Sequence, residues 1–171
     1  MTNVRKRLSK NPMPRYWKPI CPEAIDLWDI SFYGCGIKTK VLLFRNLKDA
    51  NKFLNRQFKY KMPNDSRGLF YELSCDIYDW KDGKAVHYHE YDKNYIGFIV
   101  LFWDSLRLEI IAHECCHAAF SYARRLRKKW PDVDYNPDEA VCYPVGKLVA
   151  QVCSAIRQEG YEITGNHGIC H

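Results

Sequence analysis

The sequence predicts a single α+β domain, because segments with the periodicity of strands come first and two long helical segments come last. The predicted order of elements is β–α–β–β–β–α–α. The 171 residues, of which 47% are hydrophobic, suffice for one complete core and are too few for two large ones. We therefore assign residues 20–171 to one domain and residues 1–19, which are basic and contain proline, to an irregular arm.

The first predicted elements are a strand or hairpin and a helix. Asp29–Phe44 alternates in polarity around Gly34 and Gly36, which indicates a strand or a hairpin. Leu47–Tyr60 is predicted to form an amphipathic helix, because its apolar residues recur at helical spacing: Leu47, Ala50, Phe53, Leu54 and Phe58.

Three further strands are predicted before the long helices. Gly68–Trp80 and Ala85–Tyr91 have strand-like composition and are joined by Lys81–Lys84, which contains the Asp-Gly pair typical of a hairpin turn. Tyr95–Trp103 is an apolar run rich in β-formers, which indicates a buried strand.

The first long helix is predicted over Leu106–Arg127, where the sequence contains neither proline nor glycine. Asp104 and Ser105 offer side chains that can cap its N-terminus. Apolar residues recur at helical spacing, at Leu106, Ile110, Ala118 and Tyr122. Cations that complement the helix dipole lie near its C-terminal end, at Arg124, Arg125, Arg127, Lys128 and Lys129.

The second long helix is predicted over residues 137–157. Asn136 can cap it, and Pro137 suits its first position. Its apolar surface is formed by Val141, Val145, Leu148, Val149 and Val152. Pro144 lies inside the helix, where it is expected to kink it or to leave a carbonyl unpaired.

The motif that specifies a chemistry is His113-Glu-Cys-Cys-His117, in the middle of the first long helix. Residues four apart on an α-helix point in nearly the same direction, so the two imidazoles can hold one metal ion between them. Glu114 lies beside that face, within reach of a water on the same metal. This HExxH arrangement indicates a zinc site with Glu114 as general base.

A catalytic zinc ion normally takes three protein ligands, so a third must come from elsewhere in the chain. Glu139, in the first turn of the second helix, is the predicted third ligand. Asn136 followed by Glu139 also resembles a capping box, in which the carboxylate acts only locally. Tyr143, one turn further on, is either a catalytic residue near an oxyanion or a buried core tyrosine. Weaker substitutes for the third ligand are Asp134, Asp138 and His167.

HECCH followed by Glu139 in DEAVCY resembles the gluzincin branch of the zincin metallopeptidases, in its small phage, prophage or bacterial forms. The resemblance covers residues 96–155. It implies a zincin-like fold, in which a small mixed sheet packs on the HExxH helix and on a following helix that bears the third ligand. It also implies His113, His117 and Glu139 as zinc ligands and Glu114 as the base. The metzincin continuation is absent, and Cys115 and Cys116 stand where bulky apolar residues are common.

The resemblance implies a zinc metallopeptidase that acts on a peptide or protein substrate paired with a sheet edge. The alternative is a catalytically silent zincin-like binding or inhibitor protein, phage-encoded, with a structural metal. A third option is a protease associated with DNA, suggested by the basic segments. Bound zinc without turnover would favour the second option, and cleavage enhanced by DNA the third.

Other histidines offer two further candidate metal sites. His87 and His89 alternate on a predicted strand and so share one face, but without an evident partner ligand they are interpreted as solvent-facing or packed residues. His167, Cys170 and His171 could bind a metal, although the end of a chain is more often a mobile tail.

The eight cysteines are interpreted as free thiols, because they show no paired Cys-x-x-Cys spacing. The N-terminus lacks the apolar core of a signal peptide, and no run approaches the length of a membrane span. These features predict a cytoplasmic protein, in the host cytoplasm if phage-encoded, that does not bind membranes.

The formal net charge of +6 is concentrated at Arg5–Lys10 and Arg124–Lys129. Such segments can attract acidic partners or nucleic acid, but they are interpreted as solvated charge. No nucleic-acid motif accompanies them, so we predict no sequence-specific nucleic-acid binding.

Overall fold

The computed structural model of the chain describes residues 23–32, 36–81, 84–92, 94–129, 136 and 139–165, with the backbone alone for residues 75–91 and 129. The predicted arm, residues 1–19, lies outside these ranges. Within them the chain is a mixed α+β structure, which confirms the predicted class. Its elements are β1 (Ala24–Ser31), β2 (Lys38–Phe44), α1 (Leu47–Phe58), β3 (Gly68–Glu72), β4 (Ser74–Lys81), β5 (Lys84–Tyr91), β6 (Tyr95–Phe102), a 3-10 helix (Trp103–Ser105), α2 (Leu108–Lys129) and α3 (Glu139–Gln158).

The main sheet has four strands in the order β1-β2-β6-β3. β2 and β6, in its centre, are parallel, while β1 pairs antiparallel with β2 and β3 pairs antiparallel with β6. The sheet is therefore mixed, as predicted. The predicted strand or hairpin over Asp29–Phe44 is a hairpin formed by β1 and β2. β3 is an edge strand of the sheet.

The two central strands are buried on both faces, and each face is covered by helices. Along β2 and β6, successive side chains alternate between two hydrophobic clusters, as the pleat of a strand requires. One cluster joins the sheet to α2 and α3 through Val41, Leu43, Ile99 and Leu101. The other joins it to α1 through Leu42, Phe44, Phe98, Val100 and Phe102. The sheet thus lies between α1 and the two long helices.

Helix α1 confirms the predicted amphipathic helix. The side chain of Asn46 caps it by accepting a hydrogen bond of 3.1 Å from the N–H of Asp49. At the other end, Lys59 adopts a left-handed conformation with φ of 55°, and its N–H bonds to the carbonyl of Asn55. The buried side chains are four of those predicted: Ala50, Phe53, Leu54 and Phe58.

The single strand predicted over Gly68–Trp80 is wrong. The structure divides this segment into β3 and β4 at Leu73, and β4 pairs with β5 in a separate two-stranded sheet. The N–H of Leu73 donates to Ile96, while its carbonyl accepts from Asp92, so the chain leaves the main sheet at this residue. No glycine or proline marks this break in the sequence. The predicted hairpin of these two strands is confirmed, with Lys81 opposite Lys84, while the Asp-Gly pair between them lies outside the described residues.

The predicted caps of the first long helix are also wrong. Asp104 and Ser105 lie in the 3-10 helix, and α2 begins at Leu108. The backbone there is satisfied by the segment that follows α3: Thr164 donates its N–H to the carbonyl of Leu106 and accepts from the N–H of Leu108. A distant segment therefore does what the predicted local cap would have done.

The two long helices pack side by side in opposite directions. The short segment after Gln158, at the end of α3, returns the chain to the start of α2, where Thr164 forms its bridge. The N–H of Ala140 bonds to the carbonyl of Asn136, so the first turn of α3 reaches the predicted cap residue. Pro144 is accommodated inside α3 and is buried.

Candidate metal centre

The two motif histidines lie one turn apart on α2, with both side chains exposed. The Nε2 atoms of His113 and His117 are 3.1 Å apart, and the two rings meet at an angle of 77°. Two nitrogen ligands on one tetrahedral zinc ion, each bound at about 2.0–2.1 Å, would be about 3.3 Å apart. The two imidazoles therefore have nearly the separation that a shared metal ion requires.

The carboxylate of Glu114 lies on the neighbouring face of α2, under strand β3. The residue is 6% exposed, and the backbone of Phe70 donates a hydrogen bond to its carboxylate. Burial raises the pKa of Glu114, while the charge of His113 and the bond from Phe70 act in the opposite direction. Glu114 is thus a buried carboxylate adjacent to the first histidine, at the position that the HExxH pattern assigns to a general base.

The electrostatics around His117 favour the neutral form of its imidazole. Burial lowers the pKa of His117, and the nearby His113 and Arg124 lower it further. Neutral imidazole is the form that binds a metal ion. The surroundings of His117 therefore favour the neutral form of this side chain.

A cleft of about 500 Å³ opens beside the motif. Its volume lies within the usual range for ligand-binding clefts. It brings motif residues together with two further carboxylates and an arginine from outside the motif. The lining residues are Asp65, Arg67, Gly68, Glu109, Ile110, His113 and Glu114.

Strand β3 forms one wall of this site and offers its outer edge to it. Because Phe70 donates its N–H to Glu114, that N–H points away from β6. Backbone groups alternate in direction along an antiparallel strand, so those of Gly68 and Glu72 also face outward. These outward groups have the pattern that an added peptide strand requires.

The structure does not bring Glu139 to the histidine pair. Glu139 is the exposed first residue of α3. Cys153, further along α3, is close enough to Cys115 to raise the pKa of the Cys115 thiol. The part of α3 around Cys153 therefore lies beside the HExxH motif of α2. About 20 Å of helix separates Glu139 from Cys153. Among the residues with described side chains, no three of the types His, Cys, Asp or Glu form a metal-binding group.

Of the other residues predicted for the site, the structure places only Tyr143. Tyr143 is 66% exposed, so its interpretation as a buried core residue is wrong. It lies one turn after Glu139, towards the same end of α3 and far from the level of Cys153. The predicted substitutes for the third ligand lie outside the described residues: Asp134, Asp138 and His167.

The two cysteines of the motif do not face the metal position in the way the histidines do. Cys115 is fully buried in the core between α2, α3 and the sheet, and burial raises the pKa of its thiol. Cys116 is half-buried. The cysteines with described side chains are free, as predicted: Cys115, Cys116, Cys142 and Cys153.

The histidines outside the motif can be placed only in part. In the β4–β5 hairpin, His87 stands opposite Tyr78 and His89 stands opposite Asp76. The side chains of these residues lie outside the described part of the structure, as do His167, Cys170 and His171.

Sequence reasoning missed an ionic cluster beyond the second histidine. Arg124 donates through Nη2 to both carboxylate oxygens of Glu72, at 3.1 and 3.3 Å, and Ser121 donates its hydroxyl to the same carboxylate. The spacing of Arg124 from His117, two turns along one face of α2, was a signal that could have pointed to it. Glu72 lies on a strand far away in sequence and gave none.

No protein-family model matches the chain, and neither a curated protein nor a solved structure is detectably similar to it. None of the helices in the described ranges is both long enough and apolar enough to cross a lipid bilayer.

Proposed function

We propose that this protein is a zinc-dependent metallopeptidase. The observation that carries the proposal is the pair of exposed imidazoles, with Nε2 atoms 3.1 Å apart, next to the buried carboxylate of Glu114. That carboxylate is held at the outer edge of β3, where an extended peptide can be added to the sheet. The histidine pair, the carboxylate and the outer edge of β3 therefore lie next to one another, which supports the proposal.

The roles of the side chains follow from their positions. His113 and His117 would hold the zinc ion, with Glu114 beside it. When bound, zinc lowers the pKa of a coordinated water and polarises the scissile carbonyl. Glu114 would accept a proton from the attacking water on a carboxylate oxygen and return it to the leaving amine. The outward backbone groups of β3 align the peptide.

The N–H of Phe70 has two uses in this proposal. Without substrate it holds the carboxylate of Glu114. A peptide strand pairing with β3 needs the same outward N–H for its own carbonyl. Substrate binding would therefore release Glu114 from Phe70 and leave its carboxylate available to the water beside His113.

The identity of the third protein ligand is a separate part of the proposal. The resemblance to gluzincins implies Glu139, which would have to approach the histidines by a shift of α3 along α2. Asp65 is the alternative candidate, because it lines the same cleft as His113, although in this structure it does not form a three-ligand group with the two histidines. We therefore propose to compare Glu139→Gln with Asp65→Asn in zinc binding.

The experiment uses the full chain, with zinc measured by mass spectrometry and cleavage measured on a broad library of blocked peptides. We expect about one zinc per chain and cleavage that chelators abolish. Glu114→Gln should retain the zinc and lose at least about a hundredfold in kcat, because the general base is removed. His117→Ala should lose both zinc and cleavage. Lys52→Ala, on α1, is the matched surface control.

Two results would contradict the proposal. If the folded chain binds no zinc after loading, the assignment of a zinc site is wrong. If zinc-dependent cleavage persists in Glu114→Gln, Glu114 is not the general base, and the cleavage points to a contaminating protease.

A second candidate function is a zincin-like binding or inhibitor protein without catalysis. It is favoured by the fact that the described side chains contribute two histidines and no third ligand to the metal position. This function would be supported if the wild type and Glu114→Gln each bind about one zinc per chain and neither cleaves any peptide of the library.

A further inference from the structure

We propose that the face of α2 beyond His117 selects the substrate, through Phe120 and Arg124. The preferred peptide carries an apolar side chain about two residues from the scissile bond and a carboxylate about four residues from it. This inference rests on the proposed peptidase function and adds the class of substrate.

The four side chains involved lie on one face of α2. His113, His117, Phe120 and Arg124 follow one another at intervals of four, three and four residues, which is the spacing of a single helical stripe. Phe120 is 49% exposed, although it is a large apolar residue. The side chain of Arg124 is 56% exposed. The stripe is therefore open to a partner beside the metal position.

Strand β3 runs alongside this stripe in the same direction as α2. Its first residue, Gly68, lies against Ile110 and Glu114. Its last residue, Glu72, bonds to Ser121 and Arg124. A peptide paired with β3 would thus pass the histidines near one of its ends and Phe120 and Arg124 near the other.

The bonds to Glu72 fix the position of the guanidinium group. Arg124 reaches Glu72 through Nη2, at 3.1 and 3.3 Å, and its side chain remains largely exposed. An arginine held in this way loses little conformational entropy on binding a carboxylate, and its planar group can bond to it with two parallel hydrogen bonds. Arg124 is therefore suited to a carboxylate at the end of the β3 edge.

Distances along the helix set the positions on the peptide. An ion held between His113 and His117 would lie level with the middle of that turn, so Phe120 is about 7.5 Å and Arg124 about 13.5 Å beyond it along the axis of α2. An extended peptide advances about 3.4 Å per residue. Phe120 therefore corresponds to about the second residue from the metal position, and Arg124 corresponds to about the fourth.

The charges at the two ends of the groove support this polarity. Arg127 and Lys128 follow Arg124 at the C-terminal end of α2 and are exposed. At the opposite end, Asp65 and Glu109 line the cleft beside His113 together with Arg67, and Glu109 is paired with Arg107, so positive and negative charges nearly balance there. A carboxylate on the peptide would therefore be attracted more strongly to the end of the groove at Arg124.

The test uses peptides blocked at both termini, so that the carboxylates present belong to side chains. A positional-scanning set places Asp, Asn or Lys at each of four residues on either side of a cleaved bond located by mass spectrometry. We expect Asp to exceed Lys by about tenfold or more in kcat/KM at about the fourth residue on one side. Arg124→Glu should reverse this order, and Phe120→Ala should lower kcat/KM for apolar residues about two positions from the bond. Lys52→Glu, on α1, should leave both preferences unchanged.

The same peptides are then titrated against the Glu114→Gln variant by fluorescence anisotropy, which separates this inference from catalysis. Cleavage that depends on Glu114 but shows no preference for Asp would overturn the inference and leave the peptidase intact. If no peptide is cleaved, tighter binding of the Asp peptide that is lost in Arg124→Glu still supports the site, and equal binding of all three overturns it. Displacement of the Asp peptide by single-stranded DNA at equal concentration would overturn the assignment of a peptide partner. Thermal unfolding verifies that Arg124→Glu is folded, and Arg124→Gln serves as the milder variant.

Discussion

At the scale of single residues, the site depends on one glycine that the sequence did not single out. A side chain at Gly68 would place its Cβ 2.9 Å from Cγ2 of Ile110 and 3.0 Å from Oε1 of Glu114. The histidine pair and Glu114 were predictable because helical spacing alone sets their directions. Gly68 and Phe70 were not, because only the tertiary fold brings β3 next to α2.

Gly68→Ala is expected to displace the carboxylate of Glu114 while leaving the histidines in place. Zinc content should be unchanged, and kcat should fall by about tenfold or more, because the base is moved from its position. The cost in stability should be about 1–2 kcal/mol, since the neighbours can shift partly. Gly146→Ala in α3 is the matched control: a Cβ at this position would meet no heavy atom within 4 Å, so the added methyl group should stabilise the helix slightly. Unchanged kcat in Gly68→Ala would show that the contact does not position the base.

At the scale of elements, α2 is connected to the sheet by an arginine whose burial could not be read from the sequence. The charged segment Arg124–Lys129 was interpreted as solvated helix-end charge, but Arg125 is 8% exposed. Its guanidinium donates to backbone carbonyls at the junction between the main sheet and the β4–β5 hairpin, those of Leu73, Asp92, Tyr95 and Ile96. Charge patterns along a helix do not reveal which cation is buried, because this depends on what lies above it.

Arg125→Met should destabilise the protein by about 3 kcal/mol, because four carbonyls each lose a hydrogen bond inside the structure, although those of Leu73 and Ile96 keep a backbone donor. Arg125→Lys should cost less, since an ammonium group can retain some of these bonds but not the planar arrangement. Chemical denaturation measures both, with Arg127→Met, at an exposed position of the same helix, as control. Equal stability of Arg125→Met and Arg127→Met would show that these bonds contribute no net stability.

At the scale of the whole molecule, the sequence predicted the helices and most strands but not how they are arranged. Periodicity identifies the two faces of β2, β6 and α1, because it reflects burial directly. It does not encode the parallel pairing of β2 with β6, the exit of the chain at Leu73, or the level at which α3 packs on α2. The last of these sets how far Glu139 lies from the histidine pair, and the sequence contains no signal for it because it depends on which side chains of α2 and α3 pack together.

Zinc binding tests this arrangement of the helices. A ligand that binds only the folded state raises its unfolding temperature, so zinc should stabilise the wild type and a chelator should reverse the effect. His117→Ala should abolish the shift, because the paired imidazole is lost. Glu139→Gln should leave it unchanged, because about 20 Å of helix separates Glu139 from the level of the motif. Differential scanning fluorimetry with and without zinc measures all three. If Glu139→Gln instead lost the shift as completely as His117→Ala does, α3 would have to slide along α2 when the metal binds, and the packing of Val145 and Leu148 against the core would belong to the metal-free state alone.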